Sequence, residues 1–172
     1  MTDVYRNGRF EADTWRLLAD GEPVPPEGGV LLPKARFIAE VSATNAPFGL
    51  ALEPSDSLDD LEGHLDRAAL VTVKFPKFGD GRAFSLARLL RERHGYRGEI
   101  RAVGDVLIDL VPFMGRVGID ALVVTHEPTR RALAEGRLPL VPFFYQPAAD
   151  GAARPSTAGR PWLRRPATSS AA

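Results

Sequence analysis

A chain of 172 residues with 44% hydrophobic and 26% charged residues has the composition of one globular domain. Its 22 basic and 22 acidic residues balance, so no net charge attracts it to nucleic acid or to a membrane surface. Cysteine is absent, which excludes disulfides, thiolate metal sites and thiol redox catalysis. The sequence shows neither an apolar signal core nor a bilayer-spanning run, so we expect a cytoplasmic protein.

The first 41 residues predict a hairpin followed by a segment that covers the rest of the domain. Asn7 and Gly8 lie between two short extended runs, and both residue types tolerate the positive φ of a tight hairpin turn. A connector rich in glycine and proline follows over residues 20–29. Residues 31–41 form an apolar segment whose secondary structure the pattern leaves open.

Residues 48–145 contain repeated strand–helix units. Short apolar runs that begin near residues 48, 70, 99 and 120 predict buried strands, and a helical pattern follows each of them. Polar residues between strand and helix are typical N-caps, since their side chains accept a hydrogen bond from a free backbone amide. The expected caps of the four helices are, in order, Ser57, Ser85, Asp105, and either Thr125 or Glu127.

This alternation predicts an α/β fold with a parallel sheet of about four βα units. Strands in sequence order would resemble half of a TIM-type barrel, whereas a reversal of order would give an open doubly wound sheet, and periodicity does not separate the two. Residues 1–147 then form a single α/β domain, and residues 148–172 form a disordered tail. The open sheet edges need a cover, which is either segment 1–41 or a second copy in a homodimer.

Ligands of parallel α/β sheets gather where the strands end, because loops and helix N-termini meet there. Lys74, Arg82 and Ser85 are therefore the candidate residues of an anion site, in which free amides at the start of the second helix would assist the two cations. Other candidates at the same rim are Glu53, Asp80, Asp105 and His126.

Each of these candidates also has a structural interpretation. The glycine-rich loop 78–82 would equally be a tight turn in which Asp80 and Arg82 brace each other, and Asp105 would simply be a helix cap. The three histidines lie on separate elements, so no metal site is predicted. The sequence contains no P-loop, dinucleotide-binding or nucleophile-elbow motif, which leaves catalytic residues and cofactors unknown.

Residues 78–107, FGDGRAFSLARLLRERHGYRGEIRAVGDVL, resemble a bacterial domain-of-unknown-function family, number 934. The similarity extends to residues 13–20, 30–33 and 144–147. Members of this family are often labelled as oxidoreductases involved in sulfite reduction. The resemblance implies a place in assimilatory sulfate or sulfite reduction, and it carries no catalytic residues with it.

The chain departs from the family pattern after Gly104 and Asp105. It has Ile108 in place of an expected Arg, Leu110 in place of Gln, Pro112 in place of an aromatic residue and Val117 in place of Cys. These changes indicate that a functional face has been lost or repurposed.

Three functions are compatible with the residues and the resemblance. The first is a non-catalytic accessory protein that binds sulfite reductase or another sulfur-assimilation protein. The second is a small enzyme or binding protein that acts on an anionic metabolite at the strand-end rim. The third is a structural or dimerisation module. Whether the chain is an enzyme stays open at this point.

Overall fold

The computed structural model describes residues 3–19, 21–25, 27–43 and 46–139, and the backbone of two short segments, 143–144 and 165–166. Its main sheet contains eight strands: β1 (Asp3–Arg6), β2 (Arg9–Ala12), β3 (Trp15–Leu17), β4 (Gly29–Pro33), β5 (Phe48–Leu52), β6 (Ala68–Phe75), β7 (Glu99–Gly104) and β8 (Ala121–Leu122). The α-helices are α1 (Lys34–Ala43), α2 (Arg82–Glu92), α3 (Val111–Arg116) and α4 (Glu127–Ala134). The predicted α/β class is confirmed.

The N-terminal hairpin forms at the predicted turn. Strands β1 and β2 pair antiparallel with Arg6 opposite Arg9. Asn7 and Gly8, the two turn residues, have φ angles of 50° and 80°, so both adopt the left-handed conformation that a two-residue hairpin turn requires.

The strand order is β2-β1-β8-β7-β6-β5-β4-β3. Strands β3 to β8 are neighbours in sequence order and pair parallel, whereas β1 pairs antiparallel with β8. The four predicted parallel strands are therefore present as β5 to β8, but the sheet is wider and mixed. It differs from a four-unit parallel sheet because the N-terminal segment adds β3 and β4 at one edge and the hairpin at the other.

The two edge strands are joined by only two residues, Asp13 and Thr14. Eight strands in a flat sheet would separate the edges by roughly 34 Å, whereas three Cα steps from Ala12 to Trp15 span at most about 11 Å. The sheet must therefore curl until its edges approach. Strands β2 and β3 run in the same direction, so residues 9–17 form one bent extended segment that pairs first with β1 and then with β4.

The hydrophobic core lies on the face of the sheet that the helices cover. Phe37 of α1 and Leu90 of α2 are fully buried against alternating strand residues such as Val71 and Val73. Residues 31–41 thus contribute part of β4 and most of α1, and they cover the sheet within the chain. By strand alternation, Arg101 lies on the opposite face of the sheet from this core, and it is buried there.

The first predicted helix is absent. In its place are two 3₁₀ turns, Asp59–Leu61 and Leu65–Arg67. Gly63 lies between them with a φ of 81°, a conformation that ends a right-handed helix. The Ser57 hydroxyl accepts a hydrogen bond from the Asp59 amide at 3.2 Å, so it caps a short turn and not an α-helix.

The other three helices begin at residues other than the predicted caps. Helix α2 begins at Arg82, so Ser85 lies inside it, and its first amide bonds to the Asp80 carboxylate. Asp105 precedes a 3₁₀ turn, Ile108–Leu110, which leads into α3. Helix α4 is capped by His126 and not by either of the expected residues, Thr125 and Glu127.

Most of residues 140–172 lie outside the described part of the chain, including most of the end of the predicted 48–145 repeats and most of the predicted tail. Within that region Phe143–Phe144 pairs antiparallel with Arg165–Pro166 as a separate two-stranded sheet. Among the described residues no helix is both long enough and apolar enough to cross a membrane.

Candidate functional site

The carboxyl ends of the parallel strands bring the predicted rim residues to one end of the sheet. Glu53 follows β5, Lys74 lies near the end of β6, and Asp105 follows β7. His126 follows β8 after a short loop. The parallel pairing of these four strands is what positions the residues on a common edge.

Lys74 and Glu53 form an ion pair across neighbouring strands. The Lys74 Nζ donates to Glu53 Oε1 at 2.8 Å, and each side chain is about half exposed. Exposed pairs of this kind contribute on the order of 0–1 kcal/mol to folding. The pair nonetheless gives Lys74 a carboxylate partner before any ligand arrives.

The loop after β6 is a tight turn closed by Asp80 and Arg82. The Asp80 amide donates to the Lys77 carbonyl at 3.0 Å. Arg82 donates to both carboxylate oxygens of Asp80, with Nε to Oδ1 at 3.0 Å and Nη2 to Oδ2 at 2.7 Å. The Arg82 backbone amide adds a third bond to Oδ1 at 3.1 Å. This is the bracing geometry of the structural interpretation.

The electrostatics of the loop follow from the same contacts. The Arg82 side chain, and next its backbone amide, hydrogen bond to the ionised carboxylate and lower the pKa of Asp80 to about 2. The carboxylate in turn raises the pKa of Arg82. Asp80 therefore stays ionised at neutral pH and is unsuited to proton transfer there.

Gly104 and Asp105 form a close crossing between the ends of β6 and β7. The Asp105 amide donates to the Phe75 carbonyl at 2.7 Å. Gly104 has a φ of 96°, and a Cβ placed on it would lie 2.4 Å from the same carbonyl oxygen. Glycine is required here because no other residue fits both the backbone conformation and the space.

His126 has a structural role at the start of α4. Its Nδ1 lies 2.9 Å from Thr129 Oγ1 and accepts from the Thr129 amide at 3.4 Å. The buried Thr129 hydroxyl also accepts from the Ile108 amide at 3.1 Å, which links α4 to the turn before α3. No hydrogen bond or ion pair among the described residues joins His126 or Asp105 to the two rim ion pairs.

Two phenylalanines are exposed in the connections that follow β6 and β7. Phe78, at the tip of the braced turn, is 55% exposed, and Phe113 of α3 is 45% exposed. The Arg116 guanidinium lies 4.2 Å from the centre of the Phe113 ring, and burial lowers the pKa of Arg116. We call these residues, with Arg82, the rim surface: Phe78, Arg82, Phe113 and Arg116. No sequence pattern singled out Phe113.

A cavity of about 380 Å³ lies at the other end of the sheet, where β7 begins. Its lining is polar and comes from four separate segments: Arg6, Asn7, Glu11, Arg97, Gly98, Glu99 and Asp120. No sequence pattern pointed to this cavity, because the strand-end rule selects the opposite end of the sheet. Of its lining, the sequence predicted only the hairpin turn that contains Asn7.

The described residues contain no group of three or more His, Cys, Asp or Glu side chains arranged to hold a metal ion. Their buried side-chain nitrogen and oxygen atoms all have hydrogen-bond partners. At the rim, the two cations Lys74 and Arg82 are thus each paired with a carboxylate, and Phe78 is exposed on the same turn as Arg82.

The comparisons with known proteins identify the family. No curated protein matches the chain. The model of a family described as bacterial protein of unknown function, DUF934, matches residues 49–155, which is more than half of the chain and includes β6 to β8 and the whole rim surface. The resemblance carried by residues 78–107 is therefore confirmed, and the chain belongs to this bacterial family, DUF934.

Proposed function

We propose that this protein is a non-catalytic accessory component of assimilatory sulfate or sulfite reduction, and that it binds sulfite reductase or another protein of that pathway through the rim surface. The pathway comes from the label that members of the family often bear. We propose a cytoplasmic location, because a chain without cysteine has no disulfide that the reducing cytoplasm would break.

The observation that carries the proposal is the presentation of Phe78. An exposed phenylalanine at the tip of a flexible loop would pay a large ordering entropy on binding, whereas the turn at Phe78 is already closed by the Asp80 and Arg82 bonds. Exposed aromatic and arginine side chains on a rigid support are typical of the residues that dominate protein–protein binding energy.

We assign Phe113 and Arg116 to the same proposed surface. They lie on α3, which follows β7, the strand next to β6, so the two aromatic residues belong to the connections that follow neighbouring strands. The guanidinium over the Phe113 ring holds the two side chains together, and the phenylalanine stays 45% exposed.

The state of the charged rim groups favours binding over catalysis on an anionic metabolite. Such a ligand would have to displace Glu53 from Lys74 or Asp80 from Arg82. The anion site predicted from Lys74, Arg82 and Ser85 stays a prediction, and phosphate titration tests it as described in the Discussion.

Co-purification tests the proposal directly. The full chain, immobilised, should retain sulfite reductase from an extract of the source bacterium, and Phe78→Ser and Phe113→Ser should each reduce that retention. Leu89→Ser is the matched control, because Leu89 is an exposed apolar residue of α2 outside the rim surface. All three variants should keep the melting temperature of the parent protein.

Two results would contradict the proposal. One is retention that is unaffected by both phenylalanine substitutions or reduced equally by Leu89→Ser. The other is an absorption spectrum of the purified protein with flavin or haem bands, which would favour an oxidoreductase instead.

A further inference from the structure

A second group of charged side chains lines the cavity at the start of β7. At about 380 Å³ it falls near the lower end of the ~300–1,000 Å³ range of small-molecule sites. It lies at the amino ends of the parallel strands and shares no lining residue with the rim surface, so its occupant is independent of the function proposed above.

All three of its carboxylates have a cationic partner, and Asp120 is paired with Arg91 through one oxygen only. Glu11 accepts hydrogen bonds from Arg6 at 2.8 Å and from Arg9 at 2.7 Å. Glu99 accepts from Arg6 at 2.7 Å and also from the buried Arg101. The hydrogen bonds from Arg9, and next from Arg6, lower the pKa of Glu11, so this carboxylate is ionised and paired.

Arg97 and Asp120 are the two lining groups with unused binding capacity. Arg97 is exposed and forms no hydrogen bond or ion pair with any residue that the structure describes. Asp120 accepts from Arg91 and from the Ile100 amide, but both bonds end on Oδ2, which leaves Oδ1 without a donor in the described part of the chain. The Asp120 side chain is 50% exposed.

Arg97 and Asp120 carry opposite charges and line one cavity, yet no ion pair forms between them. A free guanidinium at one point of the wall and a free carboxylate oxygen at another are complementary to a ligand that carries both charges. A simple anion would meet three carboxylates, and a simple cation would meet two guanidinium groups.

We propose that this cavity binds a small zwitterion of the α-amino acid class, whose carboxylate contacts Arg97 and whose ammonium group contacts Asp120 Oδ1. The planar guanidinium suits a bidentate carboxylate contact. Asn7, whose side-chain amide both donates and accepts, would meet the polar remainder of the ligand.

Calorimetric titration of the full chain with three matched probes tests the site. L-alanine carries both charges, propionate lacks the ammonium group, and ethylammonium lacks the carboxylate. We expect saturable binding of L-alanine, with each single-charge probe at least about tenfold weaker, because each lacks one charged hydrogen-bonded contact.

Arg97→Ala should weaken L-alanine binding by about tenfold or more without changing the melting temperature, since Arg97 forms no hydrogen bond or ion pair with the residues that the structure describes. Arg137→Ala is the matched control, because Arg137 is another exposed arginine. It lies shortly after α4 and does not line the cavity. Retention of a partner protein by the rim surface should be the same in Arg97→Ala and in the parent.

The proposal is overturned if L-alanine shows no saturable binding, or if propionate binds as tightly as L-alanine, which would make the cavity an anion site. Equal loss of binding in Arg97→Ala and Arg137→Ala would overturn it as well, because a general charge effect would then explain the result.

Discussion

The Asp80–Arg82 pair joins the turn after β6 to Arg82, the first residue of α2. The sequence allowed two interpretations of this loop, a braced tight turn or an anion site, and the coupling between the two residues distinguishes them. We expect Asp80→Ala and Arg82→Ala each to lower the melting temperature, and the double variant to cost less than the sum, because the two residues share their contacts. Thermal melts of the four proteins measure the coupling.

An anion titration completes that cycle. If the loop instead binds anions, inorganic phosphate should raise the melting temperature of the parent, and Arg82→Lys should abolish the effect while leaving stability unchanged, since lysine lacks the planar fork. Strong coupling without any phosphate effect assigns the loop to the structural interpretation.

The depressed pKa of Asp80 predicts a pH dependence of stability. A carboxyl whose folded-state pKa of about 2 lies below the unfolded value of 3.8 contributes stability above pH 3.8, and that contribution is lost as the pH falls toward 2. The parent should therefore lose more stability than Asp80→Asn over this interval in acid titrations of the melting temperature. Glu11 and the other paired carboxylates titrate in both proteins, so an identical acid response of the two would contradict the assignment.

Gly104 provides a test of the backbone crossing at the rim. Gly104→Ala combines a positive φ with a Cβ 2.4 Å from the Phe75 carbonyl oxygen, and it should reduce the free energy of unfolding by about 1–3 kcal/mol. Gly79→Ala is the matched control, because a Cβ on Gly79 meets no atom within 4 Å. Urea unfolding of both variants distinguishes this local requirement from a general intolerance of alanine in the rim loops.

At the scale of elements, the bent segment 9–17 depends on a buried ion pair. Asp13, at the bend, accepts from Arg101 at 2.8 Å and from the Trp15 amide at 3.0 Å, and the two charged side chains are 7% and 3% exposed. The Trp15 ring covers Gly29 and Gly49 on the two following strands, where a Cβ would lie 2.5 Å and 3.2 Å from the ring. The bend is thus held by charge on one side and by aromatic packing on the other.

Asp13→Ala should therefore lower the free energy of unfolding by about 3–5 kcal/mol, because it leaves Arg101 buried with one partner fewer. The double variant Asp13→Ala with Arg101→Met should recover part of that loss. Arg9→Ala, which breaks only an exposed contact with Glu11, should cost less than about 1 kcal/mol. Denaturant titrations give all three values, and a small cost for Asp13→Ala would show that the ion pair does not hold the bend.

The sequence predicts the strands of this fold better than its helix starts. The runs near residues 48, 70, 99 and 120 are short and largely apolar, and each lies at a strand of the structure. Helix starts were wrong because any serine or aspartate between a strand and a helix satisfies the cap pattern, whereas the real choice depends on tertiary contacts. Asp80 lies outside α2, and its carboxylate accepts from the first amide of that helix. His126 caps α4 by accepting from the Thr129 amide, and the Thr129 hydroxyl also accepts from the Ile108 amide in the connection after β7.

The candidate site was predictable only where its partners are close in sequence. Asp80 and Arg82 are two residues apart, so their brace was one of the two interpretations of the loop. Strand β3 has three residues and pairs with a strand that begins twelve positions later, and no local pattern reveals it. The cavity lining comes from four segments whose proximity follows from the hairpin docking on β8, which is a long-range event.

At the scale of the whole molecule, the N-terminal segment closes both sides of the sheet. Strands β3 and β4 with α1 cover one side, and the hairpin covers the other. The chain's own N-terminal segment therefore provides the cover that a second copy would otherwise have to provide. Self-association stays a prediction, and light scattering of the purified protein measures it.

The pairing of β1 with β8 has a consequence for the chain as it is synthesised. Tyr5 pairs with Leu122, so the hairpin has no sheet edge to join until more than a hundred further residues have left the ribosome. At ~5–20 residues per second that wait is on the order of ten seconds. During this time β1 lacks its partner strand, so we expect β1 to dock on β8 only after the parallel strands β3 to β7 have been synthesised.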